Sequence, residues 1–328
     1  MPEGPSVKKF YTLAFPFVGQ LVTKAGGSTK KIDLKDLNQR YFQDCMVHGK
    51  NLFLAFGSDL RTPGNDRACD DLEAGSSTQD PKLSTGSDMM LQEKEQEVSD
   101  LRKLRSQASR KDANAFDGQA KGKDALKWLR FHFGMFGSVR ANEFARAKQA
   151  NKKGDWNVPA ARLVLSFDDG GFLAFYNTRM DWVSRPFTRP TCDILSATFH
   201  RGQALEALRR SKPVCFTLLD QRYFSGLGNI IKNEILFFAG VHPLTPGSFL
   251  DHKTLESILD HALRFTSEWL HNKLQGKGMH HQIYLKETCP LGHQVMKDTL
   301  GPPGALKRLT WWCPECQPEI LPKHTVHP

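Results

Sequence analysis

The spacing of apolar residues divides the chain into a β-rich first half and a helical second half. Every second residue from Leu52 to Phe56 is large and apolar, as in a strand with one buried face. The same alternation predicts a strand over residues 128–140. The apolar runs at 162–167 and 172–176 flank Asp-Asp-Gly-Gly, which predicts an antiparallel hairpin.

A short helix is expected at the N-terminus. Val7, Phe10, Tyr11 and Ala14 recur at helical spacing, which predicts a short amphipathic helix that ends near Ala14. Pro5 suits the first turn of this helix, where its missing N–H costs nothing.

Beyond residue 190 the apolar period becomes helical. The expected helices span residues 203–210, 213–224, 229–239 and 251–274. A glycine-bearing turn at 225–228 joins the second helix to the third and predicts a helix–turn–helix unit, with Asn229 capping the third helix. The N–H groups at that helix end would suit a phosphate. A plain N-cap in a helical subdomain is the alternative.

Residues 58–123 have a different composition from the rest. They contain one aromatic residue, Phe116, and are rich in small and charged side chains. Such a segment buries too little apolar surface to offset the entropy of ordering, so a disordered insertion is expected. The whole chain carries a formal charge of +10. Because the insertion sums to about −2 by side-chain charge, the remainder is more basic still, which favours a polyanionic partner.

Two short motifs near the C-terminus predict a metal site. Three residues separate Cys289 from His293, and two separate Cys313 from Cys316. Three thiolates and one imidazole make a closed tetrahedral site for structural Zn²⁺, and four protein ligands leave no open position for a catalytic metal. No apolar run reaches membrane length and the N-terminal residues lack a signal-peptide pattern, so no membrane partner is expected.

The first residues carry candidate chemistry. Removal of Met1 would leave a free secondary amine on Pro2, with the carboxylate of Glu3 beside it. The pKa of an α-amino group is ~8, against ~10.4 for a lysine side chain, so a larger fraction of the α-amino group is unprotonated at neutral pH. Such an amine can attack an aldehyde or hemiacetal carbon and form an iminium ion, with Glu3 as general acid or base.

Four features in this order resemble the formamidopyrimidine-DNA glycosylase/endonuclease VIII family. They are the N-terminal sequence 2–5, the Gly49-Lys50 turn, the sequence 226–229 and the terminal zinc hairpin. The resemblance implies an α+β fold with an N-terminal helix and an antiparallel β-sandwich, then a helix–two-turn–helix domain and a zinc-finger β-hairpin. The expected domain ranges are 2–190, 191–282 and 283–318, with a tail at 319–328.

The resemblance also implies roles for single residues. Pro2 would attack C1′ of the damaged nucleotide and Glu3 would move protons at the sugar. Lys50, Asn229 and Arg308 would hold phosphates around the lesion. The implied activity is that of a bifunctional glycosylase/AP lyase, which excises oxidised pyrimidines such as 5-hydroxyuracil and cuts the strand by β,δ-elimination.

The family fills the space left by the extruded nucleotide with a methionine, an arginine and often a phenylalanine. Met135 matches the first and Arg179 the second, but Asp181 stands where the phenylalanine would fall. Weaker filling of the duplex fits a preference for bubble or single-stranded DNA, where little unstacking has to be recovered.

Further expectations concern partners and alternatives. The implied partners are damaged DNA and base-excision-repair proteins, the latter through the 58–123 insertion, and the protein would be a nuclear monomer. Charge, helix–turn–helix and zinc hairpin alone would also permit a DNA-binding module without catalysis. A scaffold working through its insertion is the third possibility.

Overall fold

The computed structural model describes residues 2–59, 126–146, 158–304 and 307–320. Most of the predicted insertion and of the tail therefore lies outside the described residues. The account below concerns the unit made of residues 1–56 and 126–328.

Among its described residues, the first half has one α-helix and an eight-stranded antiparallel sheet. Helix α1 spans Gly4–Ala14, with a proline in its first turn as predicted. The strands are β1 Leu21–Gly26, β2 Arg40–His48, β3 Asn51–Gly57, β4 Lys127–His132, β5 Ser138–Ala141, β6 Leu163–Phe167, β7 Phe172–Tyr176 and β8 Arg179–Val183. Their order across the sheet is β5-β7-β6-β1-β2-β3-β4-β8.

The sheet closes over one apolar core. Phe131 on β4 stacks on Phe175 of β7 with ring centroids 4.5 Å apart, although four strands lie between them in the sheet order. The two ends of the sheet therefore face each other as a sandwich, because strand twist curls a long antiparallel sheet. Phe10 of α1 packs on Phe133 at the same core.

The second half is helical and ends in a two-stranded hairpin. Its helices are α2 Arg201–Leu208, α3 Val214–Leu218, α4 Asn229–Phe238 and α5 His252–Leu274, followed by strands β9 Met296–Leu300 and β10 Arg308–Trp312. The carboxylate of Asp251 accepts a hydrogen bond from the N–H of Thr254 (2.7 Å) and caps α5. The predicted α+β fold is confirmed. None of the helices in the described ranges is both long and apolar enough to cross a bilayer.

Three local predictions were wrong. The strand expected over 128–140 is broken by a tight turn, in which the N–H of Gly137 bonds the carbonyl of Phe133 (2.8 Å). The helix expected over 213–224 ends at Leu218, and turns occupy the rest. The N-cap of α4 is Gly228 and no side chain of its own segment caps the helix, so Asn229 is the first helical residue instead.

Candidate active site

Glu3 is the buried centre of the site. Its carboxylate accepts hydrogen bonds from the backbone N–H groups of Ile230 (2.8 Å) and Ile231 (3.2 Å). These are free donors at the N-terminus of α4, so a side chain more than 220 residues away caps this helix. The positive end of the helix dipole adds to the attraction. Pro2, the residue before Glu3, is half-buried.

This contact explains why residue 228 is a glycine. A Cβ atom placed on Gly228 would lie 2.3 Å from the carboxyl carbon of Glu3, far inside van der Waals contact. The backbone also approaches closely nearby, since the N–H of Gly4 bonds the carbonyl of Gly226 (2.8 Å). The N-terminal residues therefore pack directly against the turn before α4.

A second set of contacts holds the turn that carries Lys50. The backbone N–H of Gly49 donates to a carboxylate oxygen of Asp193 (2.7 Å), and Nδ1 of His48 lies 3.5 Å from the same oxygen. Gly49 has a φ of +53° and its Cβ position is filled by Ser225, so only glycine fits. Sequence reasoning missed Asp193, because no local pattern marks its partner 144 residues away.

Lys50 and Lys232 interact electrostatically with the carboxylate of Glu3, and Arg308 acts on both lysines. Burial raises the pKa of Glu3, while Lys50 and the two helix N–H groups oppose that rise. For half-buried Lys50 the effect of burial is to lower the pKa. The negative charge of Glu3 opposes this shift, and the positive charge of Arg308 adds to it. Lys232 is buried as well, and its pKa falls to about 8 for the same principal reason. This arrangement suits a general acid beside an anion-binding surface.

Helix α4 also holds the hairpin that carries Arg308. The side-chain amide of Asn229 donates to the carbonyl of Leu309 (2.8 Å), and Nζ of Lys232 donates to Oγ1 of Thr310 (2.7 Å). The half-buried Arg308 is the first residue of β10. Lys232 was also missed by sequence reasoning, since a lysine in an apolar helix carries no motif.

The surface residues predicted to fill the duplex lie at one end of the sheet. His132 pairs with Asn51 on one side and with Arg179 on the other, so Arg179 stands two strands from the Lys50 turn. Burial lowers the pKa of His132, and Lys50 and Arg179 add to that effect. The carboxylate of Asp181 forms an exposed ion pair with the guanidinium of Arg130, with an N–O distance of 3.3 Å.

The turn after β4 presents two apolar side chains to solvent. Met135 is 57% exposed and Phe136 is 75% exposed. Exposed apolar side chains close to basic residues such as Arg179 are typical of wedges that enter nucleic acid. Phe136 was not singled out from the sequence, although it adjoins Met135.

The predicted metal ligands converge. One ligand atom from each of Cys289, His293, Cys313 and Cys316 lies within 4.8 Å of every other. The Sγ atoms of Cys289 and Cys316 are 3.9 Å apart, and Nδ1 of His293 is 3.4 Å from Sγ of Cys316. Bond lengths of about 2.3 Å to sulfur and 2.0–2.1 Å to nitrogen give tetrahedral edges of roughly 3.5–3.8 Å. The four residues therefore fit a closed tetrahedral metal site.

Comparison with known proteins agrees with this geometry. The formamidopyrimidine-DNA glycosylase H2TH domain model matches residues 191–280. Endonuclease 8-like 2 of Mus musculus is 50% identical over 98% of each chain, and its Homo sapiens counterpart is 49% identical over 98% of this chain and 97% of its own. A Lactococcus lactis formamidopyrimidine-DNA glycosylase, solved bound to DNA containing an AP site, shares the fold. Its TM-score is 0.61 at 18% identity, covering 97% of this chain and all of that one.

Proposed function

This chain belongs to the endonuclease 8-like 2 branch of the formamidopyrimidine-DNA glycosylase family, and on that premise we propose that it excises oxidised pyrimidines through a covalent intermediate on Pro2. It is a DNA repair enzyme with glycosylase and AP lyase activity. The proposal concerns its substrate class, its nucleophile and the roles of the surrounding residues.

The proposed chemistry begins once Met1 is removed. The lone pair of the Pro2 nitrogen attacks C1′, and the glycosidic bond breaks as the base leaves with its electron pair. The Pro2 nitrogen then loses its N–H proton to the departing base. Glu3 donates a proton to the sugar ring oxygen, so the C1′–O4′ bond breaks, the ring opens and the nitrogen lone pair forms the iminium bond to C1′. The observation that carries this step is the buried carboxylate of Glu3 beside Pro2, with its pKa raised by burial.

Strand cleavage follows from the iminium ion. Its positive charge acidifies the C2′ proton, so loss of that proton expels the 3′ phosphate. A second elimination, which removes the C4′ proton, expels the 5′ phosphate. The amine is released when the iminium bond is hydrolysed.

Lys50, Asn229 and Arg308 hold the phosphates of the damaged strand in this proposal. Support comes from their location around the N-terminus of α4, where the helix dipole and two cations favour anions. Neutralising several phosphates makes binding fall steeply with added salt. A flat salt dependence would contradict this arrangement.

We assign the metal as structural Zn²⁺, because three thiolates and an imidazole in a closed set are typical zinc ligands. Bound zinc would hold the hairpin that carries Arg308. No chemical step passes through it.

Bubble or single-stranded DNA is the proposed preferred substrate. Asp181 is charged and paired with Arg130, so it cannot replace a stacking side chain in a duplex. Met135, Phe136 and Arg179 are left to fill the vacated space. The protein would act as a nuclear monomer, and base-excision-repair partners would bind through residues 58–123.

Borohydride trapping on abasic DNA tests the nucleophile and separates this enzyme from a non-catalytic DNA-binding module. Protein with a C-terminal tag and a processed N-terminus should crosslink, whereas Pro2→Gly should lose most of the product. An N-terminal extension should bind DNA without trapping. Undiminished trapping in either altered protein would exclude Pro2 as the nucleophile. Deletion of residues 58–123 should leave activity on naked DNA nearly intact, which a scaffold function would not.

A further inference from the structure

A chain of two hydrogen bonds runs from the interior of α4 to the backbone of Arg308. Nζ of Lys232 donates to Oγ1 of Thr310 (2.7 Å), and the same hydroxyl donates to the carbonyl of Arg308 (3.0 Å). Lys232 and Thr310 are each 1% exposed. Because a hydroxyl has one proton, accepting from the lysine leaves that proton directed at the Arg308 carbonyl.

Packing alone does not account for a lysine at this position. Burying an ammonium group costs several kcal/mol unless it is well paired. Across the described ranges, no carboxylate lies within 4.0 Å of Lys232. Its neighbour Cys215 is a neutral thiol at physiological pH, since burial raises the pKa of that thiol to about 12. A methionine would fill similar space at lower cost.

The hydrogen-bond chain ends at the one residue of the hairpin proposed to hold phosphate. In the part of the chain that the structure describes, the guanidinium of Arg308 has no hydrogen-bond or ion-pair partner. Its location therefore depends on the backbone that carries it. A second, separate contact from Asn229 to the next carbonyl, that of Leu309, ties the same strand to α4.

We propose that Lys232 and Thr310 are positioning residues for Arg308, which hold its backbone at the N-terminal end of α4 through the Lys232–Thr310–Arg308 hydrogen-bond chain. The inference rests on the proposed phosphate-binding role of Arg308. Neither Lys232 nor Thr310 touches the substrate. Their effect on turnover passes through the guanidinium.

A double-mutant cycle with Arg308→Ala tests the inference. Thr310→Val keeps the shape of the side chain but removes the hydroxyl, and Thr310→Ser restores it. On abasic DNA, Thr310→Val should lower kcat/KM by about tenfold or more, because a misplacement of about 1 Å can cost up to a hundredfold. Thr310→Ser should recover most of that loss. In the Arg308→Ala background, Thr310→Val should cause no further loss beyond about twofold.

Lys232→Met provides the second arm of the experiment. It should also lower kcat/KM in the wild-type background and have little effect in Arg308→Ala. Losses that multiply in the double variants would overturn the inference, since they would show that the two residues act independently of Arg308. A Thr310→Ser variant as impaired as Thr310→Val would also overturn it.

The experiment keeps failure of the inference apart from failure of the proposed function. Zinc content and thermal unfolding of each variant establish that the hairpin is folded. If Arg308→Ala alone had wild-type activity, the phosphate-binding role would be wrong and the inference would fall with it. If Arg308→Ala were impaired while the second substitutions multiplied its loss, only the positioning role would be overturned.

Discussion

The buried charge of Lys232 makes a quantitative prediction about stability. Burial lowers the pKa of this lysine from 10.5 to about 8, so between these values the unfolded chain binds more protons than the folded one. Stability contributed by this group therefore rises with pH across that window. At about 1.4 kcal/mol per pKa unit, the protonated side chain costs the folded state roughly 3 kcal/mol at pH 7, and about 1 kcal/mol remains at pH 10.

Lys232→Met removes this titration. We expect the free energy of unfolding of the wild type, relative to the variant, to increase by roughly 2–3 kcal/mol between pH 7 and pH 10. Lost hydrogen bonding to Thr310 should shift the whole difference by a constant of about 1–2 kcal/mol and leave its slope unchanged.

Urea unfolding of zinc-loaded protein at several pH values measures this difference, because titrations common to both proteins cancel. Lys253→Met is the matched control, since Lys253 is exposed near the start of α5. The control should run parallel to the wild type at every pH. A constant difference between wild type and Lys232→Met would refute the conclusion that the lysine is buried as a charged group.

Three further outcomes are expected. Gly228→Ala should abolish borohydride trapping and lower the melting temperature, because its Cβ would displace the carboxylate of Glu3; retained trapping would contradict that contact. Cys316→Ser should weaken zinc binding, measured by elemental analysis, by roughly tenfold or more, since even outer-shell changes at a metal site cost that much, and should weaken DNA binding. Stoichiometric zinc with normal binding would count against the ligand assignment. Phe136→Ala should reduce turnover on duplex DNA severalfold more than on bubble DNA, as a stacked base is worth about 1–3 kcal/mol; equal losses on both substrates would argue against a wedge.

The metal ligands and the β6–β7 hairpin could be predicted from the sequence, because residues close together in the chain determine them. The metal ligands occur as two close pairs, Cys289 with His293 and Cys313 with Cys316, so spacing alone indicates the donor set. The hairpin between β6 and β7 follows from its turn sequence and is present. The fold class follows from the change of apolar period along the chain and from the family resemblance.

The local errors also have a physical cause. Alternation from residue 128 to 140 gives no sign that the chain turns at Phe133–Gly137, because the turn residues include apolar side chains that remain exposed. Asparagine is a favoured N-cap residue type, yet the side chain that accepts from the first backbone N–H groups of α4 is that of Glu3. A propensity describes what a residue does with its own neighbours, and a tertiary partner can replace it.

Only the tertiary structure decided how the site is held together. Glu3 reaches Ile230 across 227 residues, and Asp193 reaches Gly49 across 144. The chain from Lys232 to Thr310 spans 78 residues. Composition and spacing indicated which groups carry candidate chemistry, since their chemistry belongs to the residue itself. Which backbone donors, glycines and buried cations surround those groups depends on packing between distant segments, and no local pattern encodes it.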